Sequence, residues 1–141
     1  MLVDANLLLY AVDSRSPWHR PAAAWLERSL NGPQRVGLPW QSIGAFLRIV
    51  THPRVVARPL TAAEAWALVA AWLEAGPTWV PATSERTAAI LGDLLTTTHV
   101  TGNLVPDAQL AALAMEHGLV VQTADTDFAR FPGVRWENPL T

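Results

Sequence analysis

The chain alternates short apolar runs with longer stretches of helical spacing, and that alternation constrains its fold more than anything else in the sequence. The apolar runs are Met1–Val3, Val36–Leu38, Trp79-Val80, Leu119–Gln122 and, as a candidate edge, Val134–Trp136. Runs this short and this apolar read as buried strands, because a strand covered on both faces needs no polar side. Between them lie amphipathic stretches. Pro21 precedes a helix over Ala22–Arg28 that stops near Asn31-Gly32-Pro33, and Ser42–Val50 places Ile43, Phe46, Leu47 and Val50 on one face. Thr61 and Glu64 form the two ends of a capping box, ahead of a stripe made by Trp66, Val69, Ala70 and Leu73. Ser84 to about Thr97 is a further helix, with Glu85 near its positive end and Ile90, Leu91, Leu94 and Leu95 as its buried side. Asp107–Glu116 is the next, closed by His117-Gly118, and Thr123–Phe131 reads as a turn with a short helix. Strands alternating with helices predict one α/β domain over 1–141, with a mostly parallel sheet covered on both faces.

Composition narrows the chemistry. With 141 residues, half of them hydrophobic and 16% charged, the chain can bury one sizeable core and is not a disordered segment. It has no cysteine, which excludes disulfides, thiol nucleophiles and thiolate zinc sites. All ten basic residues are arginine, so mechanisms that require lysine are excluded, and a net charge of −2 leaves no bulk attraction for polyanions. Met1-Leu2-Val3 lacks the basic start of a signal peptide, and the apolar stretch Leu60–Ala75 carries Glu64 and Glu74 and is too short to span a bilayer. A cytoplasmic protein with no membrane contact is the expectation.

The aspartates are the informative residues. Asp4 follows the first strand, Asp125 and Asp127 follow the strand Leu119–Gln122, and Asp107 stands in the first turn of a helix after Val105-Pro106. Parallel sheets bind ligands beyond the carboxyl ends of their strands, so these four carboxylates can meet on one edge. Asp4, Asp107 and Asp125 each also suit a helix N-cap, although Leu110 denies Asp107 the partner of a capping box. Asp125-Thr126-Asp127 opens like a calcium loop, but neither the glycine nor the closing glutamate of such a loop follows. Gathered carboxylates repel one another unless protonated or bridged by a cation, and an all-oxygen set selects Mg²⁺ or Mn²⁺ over zinc. Such an ion can clamp a phosphodiester and activate water for in-line attack. His19, His52, His99 and His117 show no metal-ligand spacing, and Trp25, Trp66 and Trp72 fall at helical core positions.

Four segments in order resemble the VapC branch of PIN-domain toxins: Val3–Tyr10, Phe46–Arg54, Leu104–Ala114 and Thr123–Phe131. The likeness runs nearly end to end. It implies an α/β/α sandwich and a Mg²⁺-dependent endoribonuclease, with Mn²⁺ as the substitute ion. It also implies a homodimer, an RNA substrate and inhibition by a cognate antitoxin. By motif, Asp4, Asp107 and Asp125 are the catalytic carboxylates and metal ligands, and Asp127 is a further candidate ligand. Asn6 would orient Asp4, and Thr123 would hold the site by hydrogen bonding. The sequence departs from the family in one place: the helix after the second strand usually supplies a glutamate, and Gln41–Arg48 contains none. Gln41 is the nearest polar stand-in; either Asp127 fills the gap or the site carries one charge fewer. Arg48, Arg54 and Arg58, in or after that helix, are candidate contacts for the RNA backbone.

Two enzyme classes that also gather aspartates at strand ends, response regulators and haloacid dehalogenases, depend on a lysine that this chain lacks. A dinucleotide fold would need glycines after the first strand, where Asp4-Ala5-Asn6-Leu7 has none. The remaining alternative is a catalytically inactive PIN fold that only binds an antitoxin or RNA.

Overall fold

Leu2 and Val3 have no exposed surface, and they point to opposite sides of the sheet, as the period of two in a strand requires. Val3 joins one hydrophobic core and Leu2 the other. In the computed structural model, which describes all residues from Met1 to Thr141, this strand β1 (Leu2–Val3) forms the centre of a five-stranded sheet. Its neighbours are β2 (Val36–Gly37) and β4 (Val120–Gln122), and the edges are β3 (Thr78–Trp79) and β5 (Arg135–Glu137). Every pairing is parallel, in the order β3-β2-β1-β4-β5.

On one face of the sheet lie α1 (Ala5–Val12), α2 (His19–Leu30), α3 (Trp40–Val50) and α4 (Ala62–Glu74), packed through Leu7, Leu8, Trp25, Ile43, Phe46, Val69 and Trp72. The Phe46 and Trp72 rings meet edge to face at 5.0 Å. On the other face lie α5 (Glu85–Thr97), α6 (Leu104–His117) and a 3-10 helix, Thr126–Arg130, packed through Leu94, Leu113, Val121 and Phe128. The result is the α/β/α sandwich the sequence implied. Gly37 is required by close approach between strands: a Cβ there would lie 2.8 Å from the Met1 carbonyl oxygen. Gly118 closes α6 at φ 66°, in the left-handed region that favours glycine.

Several boundaries and faces differ from the sequence expectation. α2 begins at His19, so Pro21 is its third residue, where the first-turn N–H has no intrahelical partner and proline costs little. α3 begins at Trp40, two residues early, and α6 begins at Leu104, three residues before Asp107. α4 buries Ala65, Val69 and Trp72, a stripe turned one position from the expected one, which leaves Trp66 46% exposed. A helix so rich in alanine and leucine has an apolar residue on nearly every face, so its hydrophobic pattern cannot fix its rotation. α5 buries only Thr87 and Leu94; Ile90 and Leu91 are half-buried and Leu95 is exposed.

Candidate active site

Asp4 leaves β1 in extended conformation and serves as the N-cap of α1: its Oδ1 accepts from the Ala5 N–H at 2.7 Å. That leaves Oδ2, which accepts from the Thr123 hydroxyl at 2.7 Å and from Asn6 Nδ2 at 3.3 Å. Thr123, fully buried just past β4, is the hub of the arrangement. Its oxygen also accepts from Asn6 Nδ2 at 3.1 Å and from the Asp125 N–H at 3.0 Å. Asn6 completes the tie, its Oδ1 accepting from the Ala124 N–H at 3.3 Å. Asp4, Asn6 and Thr123 thus lock the start of α1 to the end of β4. The backbone supports the same junction, with Asp4 N–H donating to the Gln122 carbonyl at 3.0 Å.

Asp125 caps the 3-10 helix through a 2.8 Å bond from the Asp127 N–H to its Oδ1. Asp107 caps nothing. It is the fourth residue of α6, whose N-cap position is held by Asn103 without a side-chain capping bond. Carboxylate oxygens of Asp107, Asp125 and Asp127 lie within 4.8 Å of one another, all three residues half-buried. Asp4 stands beside this trio, near enough for its charge to act on Asp107.

The cost of this crowding falls on Asp107, whose pKa is pushed up to about 7, first by burial and then by the charges of Asp125, Asp4 and Asp127. A hydrogen bond shared with Asp125 favours its protonated form as well. Burial likewise raises Asp4, against the opposing pull of Thr123 and the Ala5 N–H. The donor set is therefore all oxygen and starved of positive charge, with oxygens spaced so that small rotations would bring them around one hard cation. These residues fit a hard divalent cation.

The other expected residues are distributed unevenly. Gln41 is half-buried in the first turn of α3 and makes no side-chain hydrogen bond to the carboxylates. Arg48 lies in the last turn of α3, on the order of 12 Å along the axis from its start, and Arg54 and Arg58 lie in the loop beyond. Arg58 lines a cavity of about 440 Å³ with Val12, Val50 and Val55, at the ends of α1 and α3 remote from the strand ends. The structure therefore does not bring Arg54 and Arg58 to the carboxylates.

Two residues near the site escaped the sequence reading. Ser42 is buried in the first turn of α3, and its hydroxyl donates to the Val3 carbonyl at 2.5 Å, fixing α3 against the residue before Asp4. A serine flanked by Gln41 and Ile43 gives no signal of this, since only the sheet register shows what it meets. Arg130 pairs with Asp127 at 3.4 Å across one turn of the 3-10 helix. Its spacing of three from Asp127 was visible in the sequence and would have suggested the contact.

The family model described as PIN domain matches residues 1–134. Among curated relatives, Ribonuclease VapC37 of Mycobacterium tuberculosis is 44% identical over 138 residues, covering 98% of this chain and 96% of the relative. Ribonuclease VapC33 of the same species is 40% identical over 140 residues, covering 99% and 98%. Among solved structures, VapBC-1 from nontypeable Haemophilus influenzae superposes with a TM-score of 0.73 at 14% identity, over 99% of this chain and 98% of that one. VapBC2 from Rickettsia felis, bound to a DNA fragment from its promoter, gives 0.72 at 16% identity over 97% and 96%. At such identities these structures speak for the fold.

Proposed function

Because the chain belongs to the PIN-domain family, we propose that it is a divalent-metal-dependent endoribonuclease and the toxin of a toxin–antitoxin pair. The observation that carries this reading is the convergence of Asp107, Asp125 and Asp127, with Asp4 alongside, on one edge of the sheet. It is supported by relatives named as VapC ribonucleases at up to 44% identity over nearly the whole chain.

Asp4, Asp107 and Asp125 would hold the ion, with Asp127 in the place of the glutamate that α3 lacks. When bound, Mg²⁺ or Mn²⁺ would neutralise the cluster, polarise the scissile phosphate and make water a stronger nucleophile. The chain's own part is preorganisation. Thr123 and Asn6 fix the Asp4 carboxylate in one rotamer, and the caps at Ala5 and Asp127 leave one oxygen each of Asp4 and Asp125 free of backbone duties. Asp107, pushed up to about 7 and so only partly ionised at neutral pH in the absence of the ion, is the carboxyl that must give up its remaining proton when a cation arrives.

A cognate antitoxin belongs to the proposal, in line with the VapBC structures that share the fold; an RNA substrate and a homodimeric state complete it on the family resemblance alone. An antitoxin arginine set against the aspartates would match their charge bidentately and compete with the cation. No helix is long and apolar enough to cross a membrane; action in the cytoplasm is part of the proposal. The inactive-module alternative draws on the absence of any acid in α3. Cleavage of RNA by the purified protein, titrated with Mg²⁺ and Mn²⁺ and abolished by chelation, separates the two; no cleavage at any metal concentration would favour the binding module.

A further inference from the structure

Beside the carboxylates, between the start of α6 and the end of the 3-10 helix, lies a cavity of about 370 Å³ lined by Thr98, His99, Val100, Leu104, Arg130 and Phe131. Resting on the ribonuclease reading, we propose that this cavity is a base-binding subsite, which takes one unstacked nucleobase of single-stranded RNA next to the phosphate being cleaved.

Its position argues for this first. Leu104 lies one helical turn before Asp107 and on the same face of α6, so the cavity wall and the carboxylate are about 5 Å apart along the axis. Arg130 reaches both places: it lines the cavity, and its Nε lies 3.4 Å from Asp127 Oδ1. A chain whose phosphate sits at the aspartates has its neighbouring base within reach of the cavity.

The lining chemistry argues for it second. Val100, Leu104 and the buried Phe131 give apolar contact, and the Phe131 ring is held edge to face against Phe128 at 5.9 Å. His99, exposed at the mouth, and the Arg130 guanidinium are planar groups of the kind that stack on bases. The Arg130–Asp127 pair is exposed, with 62% of the arginine side chain accessible, so little holds the guanidinium in its present place. A base in such a cavity must leave its own stack, which selects single strands and loops over duplex.

The test uses fluorescence anisotropy with a complete 9-mer RNA and a series of the same strand with an abasic ribose at each position in turn, together with cleavage of the same strands in Mg²⁺. Binding should fall by at least about tenfold when one particular base is removed, and removal elsewhere should matter less. Arg130→Ala should erase most of that difference. Arg130→Lys should not restore it, because an ammonium lacks the planar face that stacks, and a lysine that restored the whole difference would overturn the stacking role of Arg130. A second variant, Val100→Phe, fills the cavity and should weaken the complete strand to the abasic level while leaving abasic binding unchanged. Equal binding of complete and abasic strands by the folded wild type would overturn the subsite. Base-dependent binding without cleavage would instead overturn the ribonuclease reading and leave the subsite standing.

Discussion

Thr123 and Asp4, 119 positions apart in the chain, are joined by a 2.7 Å hydrogen bond from the threonine hydroxyl to Asp4 Oδ2. The same oxygen of Thr123 accepts from Asn6 and from the Asp125 N–H, so one buried hydroxyl sets the relation between three site residues.

Thr123→Val keeps the shape and removes all three bonds. It should lower stability by about 1–3 kcal/mol, because the Asp125 N–H and the Asn6 amide lose an acceptor in a half-buried place. It should also raise the Mg²⁺ concentration needed for half-maximal cleavage, while Thr123→Ser restores both. Thermal melts and metal titrations read the two effects; an unchanged metal requirement in a destabilised Val variant would make Thr123 a packing residue only.

Asp107 makes the stability of the metal-free protein depend on pH. Its carboxyl is raised from 3.8 to about 7, so the folded state keeps a proton that the unfolded state has already lost. Stability from this group is complete below pH 4 and falls away as pH rises toward and through 7. Melting temperature in chelator should therefore decline across that window more steeply for the wild type than for Asp107→Asn, and Mg²⁺ should stabilise the wild type most at the alkaline end. Parallel profiles for the two proteins would rule out this assignment.

Asp127 bears on the missing glutamate. If it serves as a ligand in that glutamate's stead, Asp127→Asn should weaken Mn²⁺ binding by about tenfold or more, measured by calorimetry. An affinity equal to the wild type would leave the trio one ligand short and return Asp127 to the role of partner for Arg130.

Gly37 offers a test of the scaffold alone. Gly37→Ala places a methyl 2.8 Å from the Met1 carbonyl oxygen and 3.1 Å from Pro81, so β1 and β2 must part. A loss of about 1–3 kcal/mol is expected by denaturant unfolding, in the range of an overpacked core. No measurable loss would mean that the sheet shifts at little cost.

The sandwich and the meeting of the aspartates were legible because strands buried on both faces write themselves as apolar runs, and because parallel topology sends Asp4 and Asp125 to the same edge. The rotation of α4 was not legible, since Ala65 and Trp66 are both acceptable core residues; in the fold Ala65 is buried and Trp72 packs on Phe46. The cap assignments were half legible: Asp4 and Asp125 do cap, each through one oxygen, while the second oxygen of Asp4 is bonded to Thr123 and Asn6, and sequence cannot show two uses of one carboxylate. Arg54 and Arg58 follow the helix that starts at the site, but that helix carries them away from it. Hydrogen bonds that cross the fold, such as Ser42 to Val3, depend on register and leave no mark in local sequence.

Cleavage of RNA in Mg²⁺ by the wild type, Asp4→Asn and Asp107→Asn, with circular dichroism of all three, tests the carboxylate site most directly. Each substitution replaces a carboxyl by an amide of nearly the same shape, so the fold should be intact while cleavage falls at least about a hundredfold, beyond what loss of a supporting residue produces. Wild-type rates in either folded variant would contradict the site.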